Sequence, residues 1–89
     1  MDYRVNIDAD VGTAAASDTA GDRLLDALCA AHPDAAVSQD TRSGRIGAAF
    51  VLDAADADQA TLAAQRIFAA ALTRAGLTGT LAAVTIDPT

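Results

Sequence analysis

At 89 residues the chain has the length of one small domain, and its net charge of −6 argues against a nucleic-acid-binding surface, which is normally basic. The single cysteine, Cys29, excludes an internal disulfide and a cysteine-rich zinc site. No apolar run approaches the roughly 20 residues of a membrane span, and no secretion signal is visible at the N-terminus. We therefore expect a soluble, cytoplasmic protein without nucleic-acid or membrane partners.

The apolar residues of the chain are mostly small. Alanine contributes 24 residues, whereas valine, isoleucine, leucine and phenylalanine together contribute 19. Because each alanine removes little apolar area from water, the sequence predicts a thin core whose layers approach closely. Small domains of this kind often gain stability by association, so the composition favours a homodimer.

The first predicted element is a strand from Tyr3 to Asp8. Tyr3, Val5 and Ile7 alternate with polar residues, which is typical of a strand with one buried face. The small residues that follow, from Ala9 to Ser17, predict a loop.

A first helix is predicted to begin after Asp18 or Thr19, either of which can cap it, and Thr19 with Asp22 forms a capping-box pattern. Its predicted inner side carries Leu24, Leu25, Leu28 and Ala31. The helix should end near His32, because a residue that precedes proline is disfavoured in helical conformation.

Two strands joined by a turn are predicted next. The first runs from Ala35 to Gln39 with Val37 inward, and the turn from Asp40 to Gly44 suits a hairpin, since glycine tolerates a positive φ. The third strand, Arg45 to Leu52, has apolar residues on both faces. Its inner face carries Ile46, Ala48, Phe50 and Leu52, and its other face carries Gly47, Ala49 and Val51.

A second helix and a last strand complete the pattern. Asp56 is the predicted N-cap, with Gln59 three residues later, and Gly76 suits the C-terminal end with Leu77 folding back on Leu72. The apolar stripe of this helix comprises Ala60, Ala64, Ile67, Phe68, Ala71 and Ala75. The last strand, residues 80–86, is predicted to point Ala82, Val84 and Ile86 inward.

The element order predicts an α+β fold. A β-α-β-β-α-β chain of this length suits a single domain, residues 1–89, with the ferredoxin-like plait: a four-stranded antiparallel sheet with two helices on one face. In that plait the first and third strands are central, which explains a third strand with apolar residues on both faces.

Two helices leave the other face of the sheet uncovered. Alternation assigns to that face Arg4, Asn6, Ala36, Ser38, Arg45, Gly47, Ala49, Val51, Leu81, Ala83 and Thr85. A small apolar centre rimmed by polar residues suits contact with another protein. The leading hypothesis is therefore a non-enzymatic protein-interaction domain that contacts itself as a homodimer, or another protein, through this face.

The alternative is a small-molecule binding module. Asp10-Val11-Gly12 resembles the Asp-x-Gly at the first strand-to-helix junction of ACT regulatory domains, which are also ferredoxin-like. That resemblance implies an amino-acid ligand bound near Asp10, Gly12 and Thr13.

No convergent catalytic set is apparent in the sequence. Cys29 and His32 are spaced for a nucleophilic pair, but a helix C-terminus disfavours the thiolate and no third orienting group is evident. The sequence also lacks the spacing of a calcium loop and contains no Glu. We predict no catalytic residues, no metal site and no cofactor.

A third hypothesis is an enzyme of the dimeric ferredoxin-like type, which shelters its substrate between sheet and helices. It predicts a deep pocket lined by Tyr3, Asn6 or His32. It would fail if Ile67, Phe68 and Phe50 filled that space.

Overall fold

The computed structural model describes residues 1–12, 19–40 and 42–89. The elements in chain order are β1 (Asp2–Asp10), α1 (Ala20–Cys29), β2 (Ala36–Asp40), β3 (Arg45–Asp53), α2 (Ala57–Arg74) and β4 (Thr80–Pro88). All strand pairs are antiparallel, in the order β2-β3-β1-β4. The predicted ferredoxin-like α+β fold, with the first and third strands central, is confirmed.

The first strand is longer than the sequence predicted. It continues to Asp10 because Ala9 keeps the alternation, is fully buried and pairs with Ile46 of β3. The predicted loop from Ala9 to Ser17 is therefore wrong at its beginning, and its residues 13–17 lie outside the described part of the chain.

Both helices lie on one face of the sheet, where α2 packs against β1, β3 and β4, and α1 packs against β2 and α2. The largest fully buried side chains are those of Phe68, Ile7, Leu24, Leu28, Ile46 and Val5. The predicted inner side of α1 is correct for Leu24 and Leu28, whereas Leu25 is half-buried and Ala31 is exposed. The helix itself ends at Cys29, three residues before His32.

The ends of α2 follow the predicted signals. Asp56 caps the helix by accepting a hydrogen bond from the N–H of Gln59 at 2.8 Å. At the other end the N–H of Leu77 donates to the carbonyl of Leu72 at 2.9 Å, and the N–H of Gly76 to that of Thr73 at 3.0 Å. This pair of bonds is the predicted Schellman ending.

A β-bulge alters the side on which β4 presents its first residues. Asp8 pairs with Ala83, whereas the next residue of β1, Ala9, pairs with Leu81, so Ala82 is the extra residue. Since paired residues point to the same side and Ala9 is buried under the helices, Leu81 lies on the helix side of the sheet. The prediction from alternation, with Leu81 on the uncovered face and Ala82 inward, is therefore wrong. Leu81 lies on the helix side, and Ala82 is exposed.

Candidate functional site: the open sheet face

The surface of the sheet that faces away from the helices is called the open face. The strand registers place on it Arg4, Asn6, Ala36, Ser38, Arg45, Gly47, Ala49, Val51, Ala83 and Thr85. These are the residues predicted from alternation, apart from Leu81. Asn6 and Ala49 pair at the centre, with Ala36 and Thr85 at the two edges of the same row.

The open face also carries acidic side chains that were not predicted for it. The same registers add Asp2, Asp8, Asp10, Asp40, Asp53 and Asp87. Six aspartates against Arg4 and Arg45 give the side chains of this face a net charge of −4. The face is therefore acidic rather than simply small and apolar.

A groove runs across the open face along β3 and is called the central groove. Its floor is made by Gly47, which has no side chain, and Ala49, which has only a methyl group, so the surface of β3 is low there. Its walls are Arg4, Asn6 and Asp8 from β1, and Ala36 and Ser38 from β2. The part between Asp8 and Arg45 has a volume of about 370 Å³, and the part between Arg4 and Val51 about 450 Å³.

The carboxylate of Asp8 lies directly over Gly47 in the middle of this groove. A Cβ added at Gly47 would overlap Oδ1 of Asp8 and approach Oγ of Ser38 to 3.1 Å. Gly47 is consequently buried although it belongs to the open face. Asp8 is half-buried, and within the described residues its carboxylate forms neither a hydrogen bond nor an ion pair. Glycine inside a central strand commonly marks a position where another group approaches closely.

One end of the groove is closed by the β2–β3 turn. Asp40 accepts hydrogen bonds from the N–H of Arg42 at 3.0 Å and of Ser43 at 3.4 Å, and Gly44 has a φ of 72°. The bond from Arg42, then those from Ser43, and finally the charge of Arg45 hold the pKa of Asp40 below its ordinary value of 3.8. Asp40 is thus a fixed negative charge next to the groove at neutral pH.

We expect Asp40→Asn to reduce the sensitivity of the fold to acid. Because the pKa of Asp40 is depressed in the folded chain, its ionised form stabilises the fold above the unfolded pKa, and this contribution is lost as the pH falls through the folded pKa. Thermal melts of both proteins from about pH 6 to pH 2.5 should show a lower Tm for the variant at the upper end and a gap that closes in acid. If the two Tm curves stayed parallel over that range, this would contradict a depressed pKa of Asp40 in the folded chain.

The residues of the ACT-like alternative lie at one end of β1. Gly12 has a φ of 60°, and its N–H donates to Oδ1 of Asp10 and to the carbonyl of Gly44, both at 3.1 Å. The N–H of Val11 donates to the same carbonyl at 2.9 Å. These donors hold the hairpin turn against β1, so they are already used within the chain. Thr13 lies outside the described residues.

The space between sheet and helices, which the third hypothesis requires for a substrate, is filled by side chains. Phe50 and Phe68 are buried there, Ile67 is half-buried against the same core, and Tyr3 is buried as part of it. The ring of His32 packs on that of Phe50 with centroids 5.1 Å apart. Asn6 points to the opposite side of the sheet. The structure thus brings none of the three predicted pocket residues to a shared cavity.

Comparison with known proteins gives no match to a protein-family model, to a curated protein or to a solved structure. In residues 1–12, 19–40 and 42–89, no three His, Cys or Asp side chains are grouped so that they could hold a metal ion. Neither α1 nor α2, the helices of this part of the chain, has the length and apolar character of a membrane span.

Proposed function

We propose that the chain is a non-enzymatic protein-interaction domain whose central groove binds a basic, extended segment of a partner protein. The observation that supports this most directly is the half-buried carboxylate of Asp8, which lies over Gly47 without a partner in the described chain. A carboxylate that is partly removed from water and unpaired gains from a cation placed beside it.

The charge of the open face supports a cationic occupant. Asp8 is central, Asp10 and Asp40 flank Arg45 in the neighbouring row, and the net side-chain charge of the face is −4. The negative electrostatic potential of this face raises the association rate of a basic partner and disfavours binding of an acidic one.

The shape of the groove supports an extended segment. The groove follows β3 from Arg45 to Val51, a distance of six residue steps and therefore roughly 20 Å. No large side chain stands on its floor at Gly47 and Ala49, so a long unbranched side chain, such as that of lysine or arginine, can approach the Asp8 carboxylate that lies over Gly47. Alternate side chains of an extended segment would enter the groove at this spacing.

A second copy of the chain is a less favourable occupant of this face. It would bring the same excess of aspartate, and like charges brought together across an interface oppose binding. A homodimer formed through the open face can be told apart from binding of a basic segment by Ala49→Arg. This substitution would place a bulky side chain in the groove and would dissociate such a homodimer.

The test uses a fluorescent eight-residue peptide that alternates lysine with valine, and the same peptide with glutamate in place of lysine. We expect the lysine peptide alone to raise the anisotropy, with an affinity that falls as salt is added. Asp8→Asn should weaken binding about tenfold or more, which corresponds to about 1.4 kcal/mol. Gly47→Ala should also weaken it, because the new methyl group displaces the Asp8 carboxylate from its place over the floor.

The matched control is Asp26→Asn, which removes one charge from an exposed position of α1 outside the open face. This variant should bind the lysine peptide as the wild-type protein does. Equal losses in Asp8→Asn and Asp26→Asn would mean attraction by overall charge, and would contradict a groove built around Asp8. Absence of binding by the lysine peptide would contradict the basic partner itself.

A further inference from the structure

The two edges of the sheet differ in how far they are protected against pairing with another strand. The edge strand β2 has five residues, of which Ser38, Gln39 and Asp40 are polar. The edge strand β4 has nine residues, and none is charged from Thr80 to Ile86. No described element pairs with the outer edge of β4. Edge strands are usually protected by being short or by carrying charged residues, whereas β4 is long and mostly uncharged.

Apolar side chains accompany this free edge. Val84 and Ile86 point toward the helices and pack against the core, yet they stay only half-buried. Leu81, also on the helix side, is 39 % exposed. Although α2 packs against β4, it covers these side chains only in part, and a strand added beside β4 would bury more of them.

We propose that the free edge of β4 pairs antiparallel with β4 of a second copy, so that two sheets join into one of eight strands. The bulge at Leu81 and Ala82 restricts the register, because pairing needs the regular segment from Ala83 to Asp87. A two-fold axis at Thr85 uses that segment on both copies. It places Val84 opposite Ile86 of the second copy on the helix side, and Thr85 opposite Thr85 on the open face.

This register is compatible with the acidic character of the chain, whose net charge is −6. Asp87 is the charged residue of the paired segment, and it lies opposite Ala83 of the second copy. The two Asp87 side chains are then four residue steps apart, roughly 13 Å, which exceeds the screening length of about 8 Å at physiological ionic strength. A second copy fits this edge without the charge conflict that it meets on the open face. Valine–isoleucine and threonine–threonine cross-strand pairs are both favourable.

The first test compares Thr85→Lys with Ala36→Lys by size-exclusion chromatography with light scattering over a range of protein concentrations. Both positions are exposed and lie in one row of the open face, at opposite edges of the sheet. One copy has a mass of 8.9 kDa. The wild-type protein and Ala36→Lys should run at twice that mass, and Thr85→Lys at the single mass, because two lysines would face each other at the two-fold axis.

A monomeric wild-type protein at the highest concentration would overturn the β4 interface. So would a Thr85→Lys variant that stays dimeric, or a dimer that only Ala36→Lys dissociates. Circular dichroism of both variants shows whether each substitution leaves the fold intact.

A second test does not depend on weakening the interface. In a Cys29→Ser background, Thr85→Cys should form a disulfide-linked dimer under mild oxidation. Directly opposed residues of antiparallel strands have Cα atoms about 4.5–5.5 Å apart, which is within the range of a disulfide. Ala36→Cys in the same background should stay monomeric on a non-reducing gel. Equal cross-linking at both positions would overturn the assigned axis. The β4 edge and the central groove are separate surfaces, so loss of peptide binding in Asp8→Asn leaves this outcome unchanged.

Discussion

Replacing Phe68 with alanine is expected to lower the free energy of unfolding by about 3–5 kcal/mol, the range for truncating a fully buried phenylalanine. Phe68 has no exposed surface and is the largest fully buried side chain. The other buried residues of α2 are Ala60, Ala64 and Ala71, together with Leu72 near its end. Because alanine has no rotamers with which to fill a void, we expect a cavity to remain and the loss to lie toward the upper end of that range.

Such a loss is large for a chain of this size. Domains are stable by about 0.05–0.15 kcal/mol per residue, so removal of Phe68 consumes a large part of the total. Urea unfolding followed by circular dichroism measures the loss directly. The matched control is Leu62→Ala on the same helix, where the side chain is 49 % exposed and the loss should stay below about 1 kcal/mol. Equal losses in the two variants would mean that α2 does not bury the face assigned to it.

The buried half of this fold follows from local patterns in the sequence. Tyr3, Val5 and Ile7 alternate, and a strand with that period has one buried face whatever lies around it. The cap at Asp56 and the Schellman ending at Gly76 are equally local, since each depends on residues within one turn of the helix. These features could be predicted because their physical causes lie within a few residues of each other.

The candidate site was only partly visible in the same patterns. Alternation through β1 assigns Asp8 and Asp10 to the face of Arg4 and Asn6. Asp8 lay within the predicted strand but was not assigned to the open face, and ending the strand at Asp8 excluded Asp10. The position of Asp8 over Gly47 could not be obtained in this way, because it depends on the register between β1 and β3.

The bulge in β4 is the clearest case of a feature without a local signal. Leu81 and Ala82 continue the alternation of the residues after them, and nothing in that stretch indicates an extra residue. The shift arises where β4 meets the end of β1, between Asp8 and Ala9. It reverses the side of Leu81, and it limits the register in which β4 can pair with a second copy.

The connection that leads into β4 is the place where a single added methyl group should be most damaging. A Cβ at Gly79 would overlap the carbonyl oxygen of Asp10 and lie 2.7 Å from Cγ1 of Val11. The carbonyl oxygen cannot easily move, because the next two backbone N–H groups, those of Val11 and Gly12, are both bonded to Gly44 at 2.9 and 3.1 Å. We therefore expect Gly79→Ala to lower the free energy of unfolding by about 1–3 kcal/mol, the cost of overpacking a site that cannot relax.

Gly21→Ala makes the same chemical change where the surroundings can yield. Its Cβ would meet Oε1 of Gln39 at 2.9 Å; that atom is the far end of a flexible side chain and accepts a hydrogen bond from the N–H of Gly21 at 3.2 Å. Alanine is the better helix former in α1, which offsets the weakening of that bond, so the free energy of unfolding should change by less than about 1 kcal/mol. Urea unfolding of both variants measures the two changes in the free energy of unfolding. If Gly79→Ala is as stable as Gly21→Ala, then β4 does not start against the end of β1, and the strand that we propose as the dimer edge is wrongly placed.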